Sequence, residues 1–209
     1  MILPTREAEN ALLSEFPIVV GIDEVGRGAL AGPVCVGAAI VDRTTGDFPA
    51  GLRDSKLLTA PAREAIVGAA ALWLRDSAVG SASPAEIDSL GIVAALRLAA
   101  IRAIEALHNP SGAVAILDGT HNWLAADIFG PCPVERVDVM PKADARCAVV
   151  AAASVIAKVH RDRIMCELPD PGYGFAHHKG YGTAEHAAAI ATLGPGEHHR
   201  RSWKLPTMA

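Results

Sequence analysis

Residues 18–28 read Ile-Val-Val-Gly-Ile-Asp-Glu-Val-Gly-Arg-Gly. The β-branched run Ile18-Val19-Val20, bounded by glycine, reads as a buried strand. Directly after it come two adjacent carboxylates, Asp23 and Glu24, and then a glycine-flanked arginine. Acids at a strand end beside bare backbone make a site for a divalent metal and a phosphate. Adjacent strand residues face opposite ways. One acid is therefore expected to coordinate directly, and the other to join where the strand bends or through water. Taken alone, the stretch reads equally well as a strand-ending turn with solvated acids.

Working outward, 34–41 reads as a second strand across a glycine-rich connection. A third apolar run at 113–117 also ends in an acid, Asp118-Gly119, and 134–140 is a further strand candidate. Helices are predicted over 5–15 with Thr5 as N-cap, and from Pro61 to about Arg75 with Thr59 near the cap. A short helix starts at Ser83 with a capping-box pattern. Longer ones are predicted at 92–107, at alanine-rich 143–167 and at 184–193. This alternation predicts one α/β domain with a mixed sheet flanked by helices and a helical C-terminal extension. The core spans about 18–168 and the extension about 169–209, with no internal repeat and no linker.

The chain has 209 residues and is 51% hydrophobic, enough for one good core. No uninterrupted apolar stretch reaches the roughly 20 residues of a membrane span. No signal-peptide pattern opens the sequence, so a cytoplasmic protein is expected. Cys35, Cys132, Cys147 and Cys166 form no CxxC pair, which indicates neither a zinc site nor a disulfide framework. Reduced, buried thiols are expected. The net charge of −4 argues against coating nucleic acid by charge alone. Six of the eight histidines, however, follow residue 159 and stand among Lys179, Arg200, Arg201 and Lys204. The 198–201 run reads either as a frayed charged tail or as a salt-sensitive contact with a nucleic-acid backbone.

Asp23, Glu24 and Asp118 end two apolar strands, the place where ligands collect in open α/β sheets. Asp144, Asp138 and Asp127 compete to be the fourth acid. Asp138 inside a strand reads more simply as a solvated side chain, and Asp127 lies in a loop containing glycine and proline. Clustered carboxylates repel one another and make sense with cations among them. Hard oxygen ligands suit Mg²⁺ or Mn²⁺. Two such ions about 3.5–4 Å apart can activate water and stabilise the leaving oxygen in phosphodiester hydrolysis.

Several blocks occur in one order: Asp23-Glu24-Val25-Gly26-Arg27-Gly28, then Gly51-Leu52-Arg53-Asp54-Ser55-Lys56, then Ile87-Asp88-Ser89-Leu90. They continue with Leu117-Asp118-Gly119, Lys142-Ala143-Asp144, the 151–158 run with Arg161-Asp162, His178-Lys179-Gly180-Tyr181-Gly182-Thr183, and His198-His199-Arg200-Arg201-Ser202-Trp203. In this the chain resembles the ribonuclease HII family, the bacterial type 2 ribonucleases H. The resemblance implies an RNase H-like fold and a Mn²⁺- or Mg²⁺-dependent endonuclease. Its substrates would be RNA–DNA hybrids and duplex DNA containing single ribonucleotides. It would cut 5′ of the ribonucleotide, leave 5′-phosphate and 3′-hydroxyl ends, and serve ribonucleotide excision.

By the same resemblance the four catalytic, metal-holding acids fall on Asp23, Glu24, Asp118 and Asp144. Gly26, Arg27 and Gly28, with Tyr181, fall where relatives read the ribose 2′-hydroxyl, the group that separates RNA from DNA. Lys56, Ser154 and Lys158 are candidate phosphate contacts; Ser154 and Lys158, four apart, share a helix face. Gly91 stands where many relatives carry asparagine. The stretch between Asp118 and Asp144, with Trp123 in its middle, looks longer than usual. No additional N-terminal domain of the ribonuclease HIII kind and no sliding-clamp peptide is expected, and a monomer is expected. A different two-metal nuclease on the same fold, or a non-cutting hybrid binder, are the competing functions. Indifference to the 2′-hydroxyl would favour the former, and metal-independent binding without turnover the latter.

Overall fold

The computed structural model describes residues 3–125 and 129–206. In chain order, α1 (Glu7–Leu13) leads into β1 (Ile18–Val25) and β2 (Val34–Asp42). A single 3₁₀ turn (Ser55–Leu57) and α2 (Ala60–Trp73) precede β3 (Asp76–Ala82). α3 (Pro84–Leu90) and α4 (Ile92–Glu105) lead to β4 (Ala113–Asp118), which is followed by β5 (Arg136–Met140). After β5 come α5 (Ala143–Arg146) and α6 (Ala148–Glu167), and the extension carries α7 (Phe175–His178) and α8 (Ala184–Leu193).

The strands form one mixed sheet in the order β3-β2-β1-β4-β5. β1 and β2, and β2 and β3, pair antiparallel; β4 lies parallel to β1, and β5 parallel to β4. Side-chain alternation sorts the core into two layers. Ile18, Val20 and Ile22 of β1 join the cluster that contains Leu96, Ala99 and Ala103 of α4. Val19 of β1, with Val114 and Ile116 of β4, packs against Val149, Val150 and Ala153 of α6. Helices therefore cover both faces of a mixed sheet, as the alternation of elements predicts and as an RNase H-like fold, implied by the resemblance, requires.

Glycine explains why α6 is so rich in alanine. A Cβ on Gly21 of β1 would lie 2.7 Å from the carbonyl carbon of Val149, and one on Gly37 of β2 would lie 2.5 Å from the Ala153 oxygen. The helix backbone rests directly on the sheet, which leaves room for small side chains between them. Ala151, Ala152 and Ala153 are fully buried there.

Several expectations are corrected. The helix predicted over 143–167 is broken at Cys147, whose backbone is extended (φ −111°, ψ 125°). There the chain end crosses it: Thr5 N–H donates to Arg146 O at 2.9 Å, and Ala148 N–H to Thr5 O at 3.0 Å. Thr5 is thus a bridge partner, and α1 starts after Arg6 without a side-chain cap. Buried Glu9 accepts from Val149 N–H at 2.8 Å and so caps α6 from another element. β3 escaped the sequence reading because Asp-Ser-Ala-Val-Gly-Ser-Ala lacks a β-branched run; its register with β2 makes it a strand. The capping box of α3 and the bounds of α8 are as predicted. The cysteines are free thiols, but Cys166 is exposed and Cys132 half-buried. Trp123 and Leu124 are buried in the α4-side core and pin the long stretch before Asp144.

Candidate active site

The parallel pairing of β1 with β4 sets Ile22 opposite Leu117. The next residue on each strand is an acid, so Asp23 and Asp118 emerge side by side. Alternation turns Asp23 towards α6, where it is 4% exposed, and leaves Glu24 half-buried on the other side. Arg27 pairs with Glu24 at 3.6 Å. Asp118 Oδ1 accepts from the Ala143 N–H at 2.7 Å, which ties β4 to the first turn of α5 and brings up the buried Asp144. The Lys56 ammonium donates to Asp144 Oδ2 at 2.8 Å. The structure thus gathers the four expected acids at one end of the sheet. Asp138 is elsewhere, held by the Arg136 guanidinium with two 2.8 Å bonds. Asp127 lies outside the described residues.

Burial pushes the Asp23 carboxyl up to about 8; the charges of Glu24 and Asp118 add to the rise, while Ser154 and Lys56 oppose it. Burial also raises Glu24, with Arg27 opposing and Asp118 adding. Asp118 is raised by burial and then by the charge of Asp144. Burial disfavours the Lys56 ammonium, but the Asp144 hydrogen bond and the surrounding acids outweigh it and raise its pKa. Asp54 was not singled out from the sequence. It is buried, it accepts from Lys56 N–H at 2.9 Å, and its carboxyl is raised by burial and by Asp144. Its signal was the Asp-Ser-Lys block, whose acid caps the 3₁₀ turn that presents Lys56.

A cleft of about 220 Å³ joins Asp23, Glu24 and Asp118 to the backbone of residues 26–28, to Ser55, Lys56 and Lys158, and to Tyr181. Gly26 adopts φ 81°, and a Cβ there would run into the Arg161 guanidinium, so only glycine fits. Arg27 and Gly28 are exposed. The Tyr181 ring lies 5.4 Å from the Arg161 guanidinium and 5.9 Å from the Lys158 ammonium. Lys158 also pairs with Asp162 at 2.5 Å. Ser154 is buried, and its hydroxyl donates to Ser55 Oγ at 2.8 Å. It supports the site from the sheet-facing side of α6, and of the two serines Ser55 lines the cleft.

The 198–201 run is neither frayed nor free for a duplex along its length. His199 is 1% and Arg200 0% exposed, and Ala31 bridges His199 in antiparallel fashion. Arg201 remains exposed, with its backbone N–H on Asp88 at 2.9 Å. Gly91 has φ 78° and ψ 158°, a region essentially reserved for glycine, so the α3–α4 corner accounts for the residue type.

The donor set suits a hard divalent cation: carboxylate oxygens alone, crowded together, with Asp23 driven towards neutrality by burial. Among the described residues, no three His, Cys, Asp or Glu side chains converge as a finished metal cage. Positive charge meets the acids from the Lys56 ammonium on Asp144 and the Arg27 guanidinium on Glu24.

A family model described as Ribonuclease HII matches residues 20–206. A ribonuclease HII of Streptomyces avermitilis is 47% identical over 204 residues, which cover 96% of this chain and 83% of the relative. One from Thermus thermophilus is 46% identical over 186 residues, covering 88% and 85%. Among solved structures, the PCNA:RNase HII complex from Archaeoglobus fulgidus contains a chain that matches with a TM-score of 0.67 at 25% identity, covering 92% of this chain and 98% of that one. Bst-RNase HIII in complex with Mn²⁺ shares the fold, with a TM-score of 0.61 at 23% identity, covering 87% and 63%.

Proposed function

The chain belongs to the ribonuclease HII family and is an endoribonuclease acting on RNA–DNA hybrids; from that premise we propose that it also cuts on the 5′ side of single ribonucleotides embedded in duplex DNA. The products carry 5′-phosphate and 3′-hydroxyl ends, and the role is ribonucleotide removal from DNA. The observation that supports this reading most is the shared cleft. The Gly26-Arg27-Gly28 loop and Tyr181 open onto the same space as Asp23, Glu24 and Asp118.

Asp23, Glu24, Asp118 and Asp144 would hold Mg²⁺ or Mn²⁺, which supplies charge for the attacking and leaving oxygens. The chain's own groups do the rest. Backbone at Gly28 comes close to a 2′-hydroxyl because no Cβ intervenes, while Gly26 lets the loop turn against Arg161, and that hydroxyl marks the ribonucleotide. The Tyr181 face packs against the following sugar, where a second 2′-hydroxyl would crowd it. Lys56 and Lys158 steer the phosphate, and Ser154 acts indirectly through Ser55 and Asp23.

The test is a labelled DNA duplex with one ribonucleotide beside an all-DNA duplex, each with Mg²⁺, Mn²⁺ or chelator. A metal-dependent cut 5′ of the ribonucleotide, lost in Asp23→Asn, is the expected outcome. Cleavage of both duplexes would mark a nuclease that does not read ribose. No cut in the ribonucleotide duplex, beside active cleavage of a long hybrid, would confine the enzyme to hybrids.

A further inference from the structure

Arg161 and Arg200 are 0% exposed, and each spends its guanidinium on backbone carbonyls. Arg200 donates to Gly26 O at 2.6 Å, Arg27 O at 2.9 Å and Gly32 O at 3.1 Å. It therefore grips both ends of the loop that leaves β1. Arg161 donates to Pro33 O at 2.8 Å, Ala31 O at 3.1 Å and Lys179 O at 2.9 Å. It thus joins the far side of that loop to the turn that carries Tyr181. Backbone bonds complete the joint: Leu30 N–H donates to Gly180 O at 2.8 Å, and Arg200 N–H to Leu30 O at 2.9 Å. Burial disfavours both charges, and Arg161 further lowers Arg200. Two like charges kept together inside a protein are costly, and the bonds each guanidinium makes to backbone carbonyls offset that cost.

We propose that Arg161 and Arg200 form a clasp that sets the distance between the 26–28 backbone and Tyr181, and so sets the preference for a single ribonucleotide over a long hybrid. They are positioning residues, since Tyr181 and the loop backbone meet the substrate. The planar five-donor fork reaches carbonyls on separate segments, which the compact ammonium of lysine cannot do at once. A long hybrid offers a 2′-hydroxyl at every register, whereas a single ribonucleotide offers one. A loosened clasp therefore costs most on the single ribonucleotide. This inference rests on the ribose-reading role proposed above for the loop and Tyr181.

Cleavage efficiency on both substrates is measured for the wild type, Arg200→Lys, Arg161→Lys, Tyr181→Ala and the Arg200→Lys/Tyr181→Ala double variant, with thermal unfolding alongside. Arg200→Lys is expected to lose about tenfold or more on the single ribonucleotide. Its loss on the hybrid stays within about threefold, and the double variant loses less than the product of the singles. Equal losses on both substrates, or fully multiplicative losses, overturn the clasp. So does failure of both lysine variants to fold, which makes the pair a requirement of the fold and not a determinant of specificity. If Tyr181→Ala leaves the substrate ratio unchanged, ribose reading itself fails and takes the clasp with it. If Tyr181→Ala shifts the ratio and neither folded lysine variant does, the clasp alone is wrong.

Discussion

At the scale of single residues, the metal-holding role proposed for Asp23 is set against stability. Its carboxyl is raised to about 8 by burial, well above its unfolded value of 3.8. The folded state holds the proton more tightly, so the stability this provides is complete below about pH 4 and lost as pH rises through 8. In chelator at pH 8, Asp23→Asn is expected to unfold a few degrees above the wild type, with the gap closing towards pH 4. Thermal scans across pH check this; a variant less stable than the wild type at pH 8 would refute it. The same substitution is expected to lower cleavage about a thousandfold or more, because a neutral amide holds a cation poorly. Asp23, Glu24 and Asp118 were legible because each follows an apolar run. Asp144 needed the family resemblance, since an acid in the first turn of a helix is ordinary. Asp54 stood in one of the family blocks but was given no role, because its closeness to Asp144, a residue distant in sequence, shows only in the fold.

At the scale of elements, the C-terminal extension is held by a neutral histidine chain. His186 Nδ1 bonds to Tyr181 O at 3.0 Å, which leaves Nε2 to accept from His199 Nε2–H at 3.0 Å. His199 Nδ1 in turn accepts from Gly196 N–H at 3.0 Å. His178 stacks on His186 at 4.2 Å between ring centres. Burial first, and then the charge of His186, lower His199 to about 4, and burial lowers His186. Asp170 and Glu185 pull His186 upward, while His198 and Arg201 push His199 further down. Both groups resist protonation more when folded than when unfolded, so the stability they provide is present above about 6.5 and falls as pH drops towards 4. Thermal unfolding between pH 7 and 4.5 is expected to show this fall, and His199→Gln to flatten it. An unchanged slope in a folded His199→Gln would show that the histidine chain does not govern it. None of this network was visible in the sequence, where His199 belonged to a run read as a charged tail or a backbone contact, His178 to a family block and His186 to a predicted helix.

At the scale of the whole molecule, the distance between α6 and the sheet decides whether Asp23, on β1, meets Ser154, on α6. Gly37→Val, placed against the Ala153 carbonyl, is expected to cost about 1–3 kcal/mol or more by prising the layers apart. Urea unfolding measures it, and a cost below about 0.5 kcal/mol would show that the layers yield freely. A second expectation concerns the ion. Mg²⁺ or Mn²⁺ bound to the native state is expected to stabilise it by mass action, by about 2.7 kcal/mol at a hundred times Kd, and so to raise the melting temperature. The increment is expected to vanish in an Asp23→Asn/Asp118→Asn variant. A persistent shift there would place the ion at other residues.

What the sequence by itself determined is local. Apolar runs ending in acids, capping residues and glycines at the 26–28 turn follow from chemistry between near neighbours, which periodicity and turn preferences report. Ordered blocks then supplied the family, and with it the expectation of Asp144 and Tyr181. The tertiary structure alone decided the rest: β3 as a strand, the break at Cys147, the capping of α6 by Glu9, and the burial of Ser154, His199 and Arg200. Each of these depends on a partner far away in the chain. A donor, a carbonyl or a packing surface that arrives from another element leaves no periodic mark on the residue that receives it.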